Sequence, residues 1–77
     1  MNPSLAGQVA FISGSGHGIG RATALEMARL GATVGVNDLK SEFVDAVVAE
    51  IAAVHKLHTR QIFAEDNETG VFESYWV

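Results

Sequence analysis

The chain has 77 residues, a formal net charge of −4 and no cysteine. Its 48% hydrophobic and 18% charged residues are typical of one small globular domain rather than of a disordered chain. The five Lys and Arg residues are scattered, which argues against a nucleic-acid or anionic-membrane partner. The lack of cysteine excludes disulfides, a thiolate nucleophile and cysteine-based zinc sites.

Targeting and membrane segments are not predicted. No apolar stretch reaches the ~20 residues that a bilayer-spanning helix needs. No basic segment precedes the first apolar run, residues 9–12, and that run is too short for the core of a signal peptide. We therefore expect a cytoplasmic protein without a membrane partner.

The apolar pattern predicts five elements in the order β-α-β-α-β. A run rich in β-branched and aromatic residues ends at Gly14 and predicts a strand buried on both faces. Helical periodicity follows and stops at Gly31, where a helix-terminating glycine belongs. A second strand leads to Asp38, and Ser41 is a suitable N-cap for a second helix. The predicted strands span residues 8–13, 33–37 and 60–64, and the predicted helices span residues 18–30 and 41–55.

This alternation of strands and helices determines the expected fold class. Strands separated by helices predict right-handed crossovers and a parallel sheet. The class is therefore α/β, with a three-stranded parallel sheet in the order 3-2-1. Such a unit is one mononucleotide-binding half of a doubly wound, Rossmann-type fold. We expect residues 1–77 to form a single partial Rossmann domain that lacks the second half.

The first strand is joined to the first helix by a glycine-rich turn, Gly14-Ser15-Gly16-His17-Gly18-Ile19-Gly20. A strand that becomes a helix within a few residues needs positive φ values, which glycine adopts at low cost. Positions without a Cβ also let main-chain N–H groups approach a diphosphate, and a helix N-terminus adds donors and partial positive charge. The turn therefore predicts a nucleotide site. The alternative is a tight turn that binds nothing.

The spacing of the glycines resembles that of a known family. Ile19 stands where the usual G-x-G-x-x-G pattern needs a glycine. The stretch from Ser13 to Gly20 instead resembles the Thr-Gly-x-x-x-Gly-Ile-Gly motif of the short-chain dehydrogenase/reductase superfamily, with serine in place of threonine. The flanks agree from Leu5 to Leu39, and the match is looser after Thr59. The resemblance implies an NAD-dependent oxidoreductase whose cofactor is bound by Gly14, Ser15, His17, Gly18, Ile19 and Gly20.

Asp38 bears on the choice of cofactor. It lies eighteen residues past the last glycine of the turn, at the end of the second predicted strand. A carboxylate there can accept hydrogen bonds from both hydroxyls of the adenosine ribose and would repel a 2′-phosphate. Leu39 comes next, Lys40 is the nearest cation, and His17 is charged only when protonated. NAD is thus favoured over NADP. The alternative is that Asp38 only starts a turn or caps the next helix.

Two further pairs of residues are candidate ligands. By the same resemblance, Asp66 and Asn67 match the Asp-Val pair beside the adenine, and Asp66 would accept a hydrogen bond from the adenine amino group. The alternative is an ordinary turn between a strand and a helix. His55 and His58 have no nearby companion of ligand type, so we expect surface residues near a helix end and no metal site.

Catalytic residues are not predicted in this chain. The resembled family uses a tyrosine with a lysine four residues later, an upstream serine, and an Asn-Asn-Ala-Gly stretch. Tyr75 has no such lysine within the sequence, so we expect the isolated chain not to turn over, and Tyr75 to pack with Phe72 and Trp76 at a helix or tail. The alternatives to the cofactor-binding portion of an oxidoreductase are two. One is a non-catalytic protein that binds nucleotide weakly or pairs with a full-length relative, and the other is an inactive truncated reading frame.

The predicted strand order leaves one apolar edge. In a complete doubly wound sheet, the far side of the first strand pairs with a fourth strand. Without it, Val9–Ser13 presents unpaired N–H and C=O groups, a template for another chain. A domain of this size is also near the lower limit for an adequate core. We expect the chain to be marginally folded, to self-associate through this edge, or to require a larger partner.

Overall fold

The computed structural model describes residues 4–54 and 61–76. His55, His58 and the predicted strand start at Arg60 lie outside the described residues. Within these residues the chain alternates strands and helices and then adds a further strand. The elements are β1 (Val9–Ser13), α1 (Gly18–Arg29), β2 (Thr33–Asp38), α2 (Ser41–Val54), β3 (Gln61–Asp66) and β4 (Phe72–Trp76).

The strands form one sheet in the order β1-β2-β3-β4. The first three run parallel, and their register places Gly35 of β2 between Phe11 of β1 and Phe63 of β3. This confirms the predicted α/β class and the 3-2-1 order of a partial Rossmann fold. All three carboxyl ends therefore meet at one edge of the sheet, where doubly wound folds bind ligands.

β4 was not predicted, and the expectation of a helix or tail around Tyr75 is wrong. Phe72–Trp76 pairs antiparallel with β3, so that Tyr75 lies opposite Ile62. The connection is a short hairpin that contains Gly70 at φ 70°, a backbone conformation that glycine adopts readily. The antiparallel pairing covers the edge of β3 that the three-stranded sheet would leave open.

Both helices cover the same face of the sheet. α1 packs against β1 and β2, α2 packs against β2 and β3, and the two helices pack against each other. Right-handed crossovers between parallel strands in this order produce that arrangement. The core lies between the helices and this face, and its buried side chains include Ala24, Ala28, Val34, Val36, Val47, Ile51 and Ile62.

The opposite face of the sheet is open, and the expectation that β1 is buried on both faces is wrong. Val9 is 72% exposed and Phe11 is 59% exposed. Phe11 lies over Gly35, where a Cβ would come within 2.5 Å of the Phe11 ring. Phe63 stacks on Phe72 with ring centroids 5.8 Å apart. This face carries a row of aromatic rings. The rings are exposed because no helix in the described part of the chain crosses the face.

Neither described helix combines the length and the apolar character needed to cross a membrane.

Candidate functional site

A pocket of about 230 Å³ lies at the carboxyl edge of the sheet. The ends of β1 and β2, the glycine turn and the start of the β3–β4 hairpin meet there. The lining residues are Ser13, Gly14, His17, Asn37, Asp38, Leu39 and Asn67. Main-chain donors, amides and a carboxylate thus share one pocket beside the N-terminus of α1.

The glycine turn leaves room for a ligand against the backbone. Gly14 and Gly18 have φ values of 67° and 58°, which favour glycine. A Cβ at either position would meet no protein atom within 4 Å. α1 begins at Gly18 and its N-cap, His17, makes no side-chain hydrogen bond to the helix. The first-turn N–H groups therefore keep the donor capacity and partial positive charge that suit an anion.

Gly16 and Gly20 have a different role, because both are closely packed. A Cβ on Gly16 would lie 2.8 Å from Asp38 Oδ2 and 2.6 Å from Phe43 Cβ. A Cβ on Gly20 would overlap the carbonyl oxygen of Gly14. These two glycines let the turn pack onto β2 and onto the start of α1, while Gly14 and Gly18 border open space.

Ser15 fixes the turn to β2. It is fully buried, and its N–H donates to the Asn37 carbonyl at 2.9 Å. Its hydroxyl accepts from the Asn37 N–H at 3.0 Å and is 3.4 Å from the Asn37 carbonyl oxygen. The side chain is thus used to hold the turn rather than exposed to the pocket.

Asp38 is a buried carboxylate with three donors. Its Oδ1 accepts from the Leu39 N–H at 2.7 Å, and its Oδ2 accepts from the Gly16 N–H at 2.9 Å. His17 Nδ1 lies 2.8 Å from the same Oδ2. Burial would raise the pKa of Asp38, but the hydrogen bonds from Leu39 and Gly16 and the nearby imidazole outweigh it. The pKa is therefore below its usual value, and Asp38 is ionised at neutral pH.

Asp66 and Asn67 are neighbours in sequence but make different contacts. The Asp66 carboxylate accepts from the Thr69 N–H at 2.7 Å and from the Thr69 hydroxyl at 2.8 Å. These bonds, the backbone one foremost, lower the pKa of Asp66. Asn67 lines the pocket, and its N–H donates to the Asp38 carbonyl at 2.9 Å. Asp66 therefore shapes the turn after β3, whereas Asn67 joins that turn to the pocket.

The structure brings some of the expected cofactor residues to the pocket and not others. Gly14, His17, Asp38 and Asn67 line it, and Gly18 and Gly20 form the first turn of α1. Ile19 is 87% exposed, whereas Ser15 is buried. Ser15 and Asp66 are engaged in turn contacts. Within residues 4–54 and 61–76, no three His, Cys, Asp or Glu side chains are grouped as a metal site would require.

Asn37 and Leu39 were not predicted as pocket residues. Asn37 Nδ2 donates to Glu65 Oε1 at 3.1 Å and to Asn67 Oδ1 at 3.2 Å, so it ties the ends of β2 and β3 together. A polar residue at the end of an otherwise apolar strand, directly before Asp38, is the signal that could have identified it. Leu39 is 65% exposed and gives no such signal.

Comparison with known protein families gives an independent view of the chain. A family model described as short chain dehydrogenase matches residues 8–69. The chain is 54% identical over 70 residues to short chain dehydrogenase mdpC from Emericella nidulans, covering 90% of this chain and 25% of that protein. It is 57% identical over 51 residues to hydroxyacyl-CoA dehydrogenase ChsB1 from Mycobacterium tuberculosis, covering 64% of this chain and 16% of that protein.

Solved structures agree with the sequence relatives. A hydroxysteroid dehydrogenase from Escherichia coli superposes with a TM-score of 0.73 and 37% identity, over 84% of this chain and 25% of that one. A 7α-hydroxysteroid dehydrogenase complexed with NADH and 7-oxo glycochenodeoxycholic acid superposes with a TM-score of 0.71 and 38% identity, over 82% of this chain and 23% of that one. The chain spans 16% to 25% of the length of the two curated relatives.

Proposed function

The chain belongs to the short chain dehydrogenase family, and on that premise we propose that it is the NAD-binding N-terminal portion of an oxidoreductase. One observation carries the proposal. The open Cβ positions of Gly14 and Gly18 border the same edge of the sheet as the buried Asp38 carboxylate. Anion-binding backbone and a ribose acceptor are thus adjacent, as a dinucleotide requires.

The residues present fit a nicotinamide dinucleotide. The cofactor's diphosphate would lie against the glycine turn, in the space that a Cβ on Gly14 or Gly18 would enter. Asp38 would accept hydrogen bonds from the adenosine ribose, and Asn67 would lie on the adenine side of the pocket. The nicotinamide supplies hydride chemistry, and the family suggests an alcohol or carbonyl substrate. The cytoplasmic location expected from the composition stays a prediction.

Asp38 supports NAD rather than NADP. A buried carboxylate whose pKa is lowered keeps its negative charge at neutral pH and would repel a 2′-phosphate. Leu39, which follows it, lines the pocket but offers no charge. The related 7α-hydroxysteroid dehydrogenase was complexed with NADH.

The test is calorimetric titration of NAD into the 77-residue chain and into variants of the turn. Gly14→Val and Gly18→Val place a branched Cβ in the space assigned to the diphosphate, and we expect both to abolish binding. Gly7→Val is the matched control: it has a φ of 83° and open surroundings, but it precedes β1, at the opposite end of the strand. It carries the same backbone strain, about 1–3 kcal/mol, and should still bind.

Unchanged NAD affinity in both turn variants would contradict the proposal. So would an equal loss in Gly7→Val, because backbone strain alone would then account for the result. Circular dichroism of each variant confirms that the compared samples are folded.

A further inference from the structure

Histidine is an unusual residue at a helix N-cap, the position that His17 occupies in α1. Ser, Thr, Asp and Asn are preferred there because their side chains bond the first-turn N–H groups, yet His17 makes no such bond. Its Nδ1 instead lies 2.8 Å from Asp38 Oδ2, and its side chain is 66% exposed whereas that of Asp38 is 2% exposed. The His17 and Phe43 rings pack at a steep angle to each other, with centroids 5.8 Å apart. The imidazole thus covers the carboxylate from the solvent side.

This contact uses acceptor capacity that a bound ribose would need. An ionised carboxylate offers about four lone-pair positions. Leu39, Gly16 and His17 occupy three of them. The first two donors are main-chain groups held by the fold, whereas the His17 side chain is exposed. For Asp38 to accept from two ribose hydroxyls, the His17 bond is the one that must be given up.

The strength of that bond depends on the protonation of the imidazole. A carboxylate only accepts, so Nδ1 carries a hydrogen in both charge states. In the neutral ring Nε2 is an acceptor, and in the cation both nitrogens donate. Because Asp38 is ionised, the bond from the neutral ring is already charge-assisted, and the cation adds a direct Coulombic attraction to the carboxylate. Within the described residues Nε2 makes no hydrogen bond, so it remains available to a ligand.

We infer that His17 controls access of the adenosine ribose to Asp38 and thereby makes the preference for NAD over NADP depend on pH. The inference rests on the proposed function. Neutral His17 yields to the ribose and leaves the Asp38 charge to repel a 2′-phosphate. Protonated His17 holds Asp38, offsets its charge, and presents an Nε2–H donor that suits a phosphate.

Other charged groups lie near the carboxyl edge of the sheet. Variants at His17 itself distinguish its contribution to the pH dependence from theirs. Asp38 of β2 is the charged group in contact with the imidazole. Arg21 of α1 is paired with Glu50 of α2. The remaining charged residues on α1, β2, α2 and β3 and in the turns beside them, within the described residues, are Glu26, Arg29, Lys40, Glu42, Asp45, Glu65, Asp66 and Glu68.

The experiment measures dissociation constants for NAD and for NADP by calorimetry at about pH 8 and about pH 6, the range over which imidazoles titrate. For the wild-type chain we expect NAD affinity to fall about three- to tenfold at the lower pH. NADP affinity should fall less or rise, so that discrimination between the two cofactors decreases.

Two variants isolate the imidazole. His17→Gln can still donate to Asp38 but does not titrate, and His17→Phe keeps a ring beside Phe43 but has no donor. We expect both to lose the pH dependence of NAD affinity. His55→Gln combined with His58→Gln removes the other two histidines and should behave as wild type. A 2′-phosphate itself titrates near about pH 6, so NADP is compared between wild type and variants at each pH.

The outcomes separate the inference from the proposed function. Failure of the folded wild-type chain to bind NAD at either pH contradicts the proposed function, and the inference with it. If NAD binds, but its pH dependence is absent or persists unchanged in both His17 variants, the inference is overturned and the proposed function stands.

Discussion

At the scale of single residues, Asp38 connects three parts of the site. Its two oxygens bind the N–H of Gly16 in the glycine turn, the N–H of Leu39 in the loop to α2, and the His17 imidazole at the start of α1. One buried carboxylate therefore holds the pocket together before any ligand is bound. Its substitution should affect stability as well as binding.

Acid should weaken the fold through Asp38. Since its folded-state pKa lies below the ordinary aspartate value, ionised Asp38 stabilises the fold above the unfolded-state pKa. That contribution is lost as the pH falls through the folded-state pKa. We expect the melting temperature of wild type to drop more steeply below about pH 5 than that of Asp38→Asn. Exposed Asp45→Asn on α2 is the control and should keep the wild-type slope.

At neutral pH the same Asp38→Asn variant should be less stable than wild type. An asparagine cannot accept on both sides, so either the Gly16 or the Leu39 N–H loses its partner, at a cost of about 1–3 kcal/mol. Urea unfolding measures this difference. Equal stability of the two proteins would show that these hydrogen bonds contribute nothing net.

Cofactor choice gives a third prediction at this scale. Asp38→Ser with Leu39→Arg removes the repelling charge and adds a guanidinium that can bind a 2′-phosphate. Leu39 is 65% exposed, so an arginine fits without repacking. We expect the double variant to bind NADP more tightly than NAD, measured by calorimetry at about pH 8. A wild-type chain that prefers NADP would show that Asp38 does not contact the ribose.

Local chemistry explains which site residues could be predicted. Gly14, Gly18 and Asp38 follow from backbone conformation and charge at the ends of predicted elements, which sequence spacing reveals. The contacts of Ser15 and Asp66 depend on where partners such as Asn37 and Thr69 lie after folding. Spacing along the chain does not contain that information.

At the scale of elements, the packing of the glycine turn against α1 gives a prediction of unusual sign. Replacing a helical glycine with alanine normally stabilises by up to about 1 kcal/mol. At Gly20 the new Cβ would overlap the Gly14 carbonyl. We therefore expect Gly20→Ala to destabilise by about 1–3 kcal/mol, with the neighbouring Ile19→Ala, at an exposed position, close to neutral. A stabilised Gly20→Ala in urea unfolding would contradict the packing described.

The helices and parallel strands were predictable because their periodicity and capping signals are local. β4 was not, although Gly70 between two runs of strand-forming residues is a hairpin signal. For the stretch after β3, the sequence leaves open an adenine contact or a turn into a helix, and it places Tyr75 at a helix or tail. The burial of β1 was misjudged for a different reason: an apolar run does not show which elements cover it, and here α1 and α2 lie on one face.

At the scale of the whole molecule, β1 is an edge strand of the described sheet. Its Phe11 side chain lies on the open face of the sheet and is exposed. We expect self-association through this edge, because its N–H and C=O groups on the side away from β2 can pair with another chain. Val9→Lys places a charge at an exposed position of β1 and should shift sedimentation toward monomer. Val71→Lys adds the same charge beside β4, at the opposite side of the sheet, and should not.

A wild-type chain that sediments as a monodisperse monomer would contradict this expectation. Strong amide protection throughout Val9–Ser13 in such a monomer would contradict it further, since an unpaired edge exchanges rapidly.

The two edge strands of the described sheet, β1 and β4, also determine how many copies can associate. β1 carries no charged side chain, whereas β4 carries Glu73, and charge on an edge strand disfavours intermolecular pairing. Contact of β1 with β4 of another copy would be head-to-tail and would extend into a fibre. Contact of β1 with β1 of another copy is two-fold symmetric, and it pairs the β1 edges of both copies with each other. We therefore expect association through β1 to close at two copies, as one continuous eight-stranded sheet formed from two four-stranded ones.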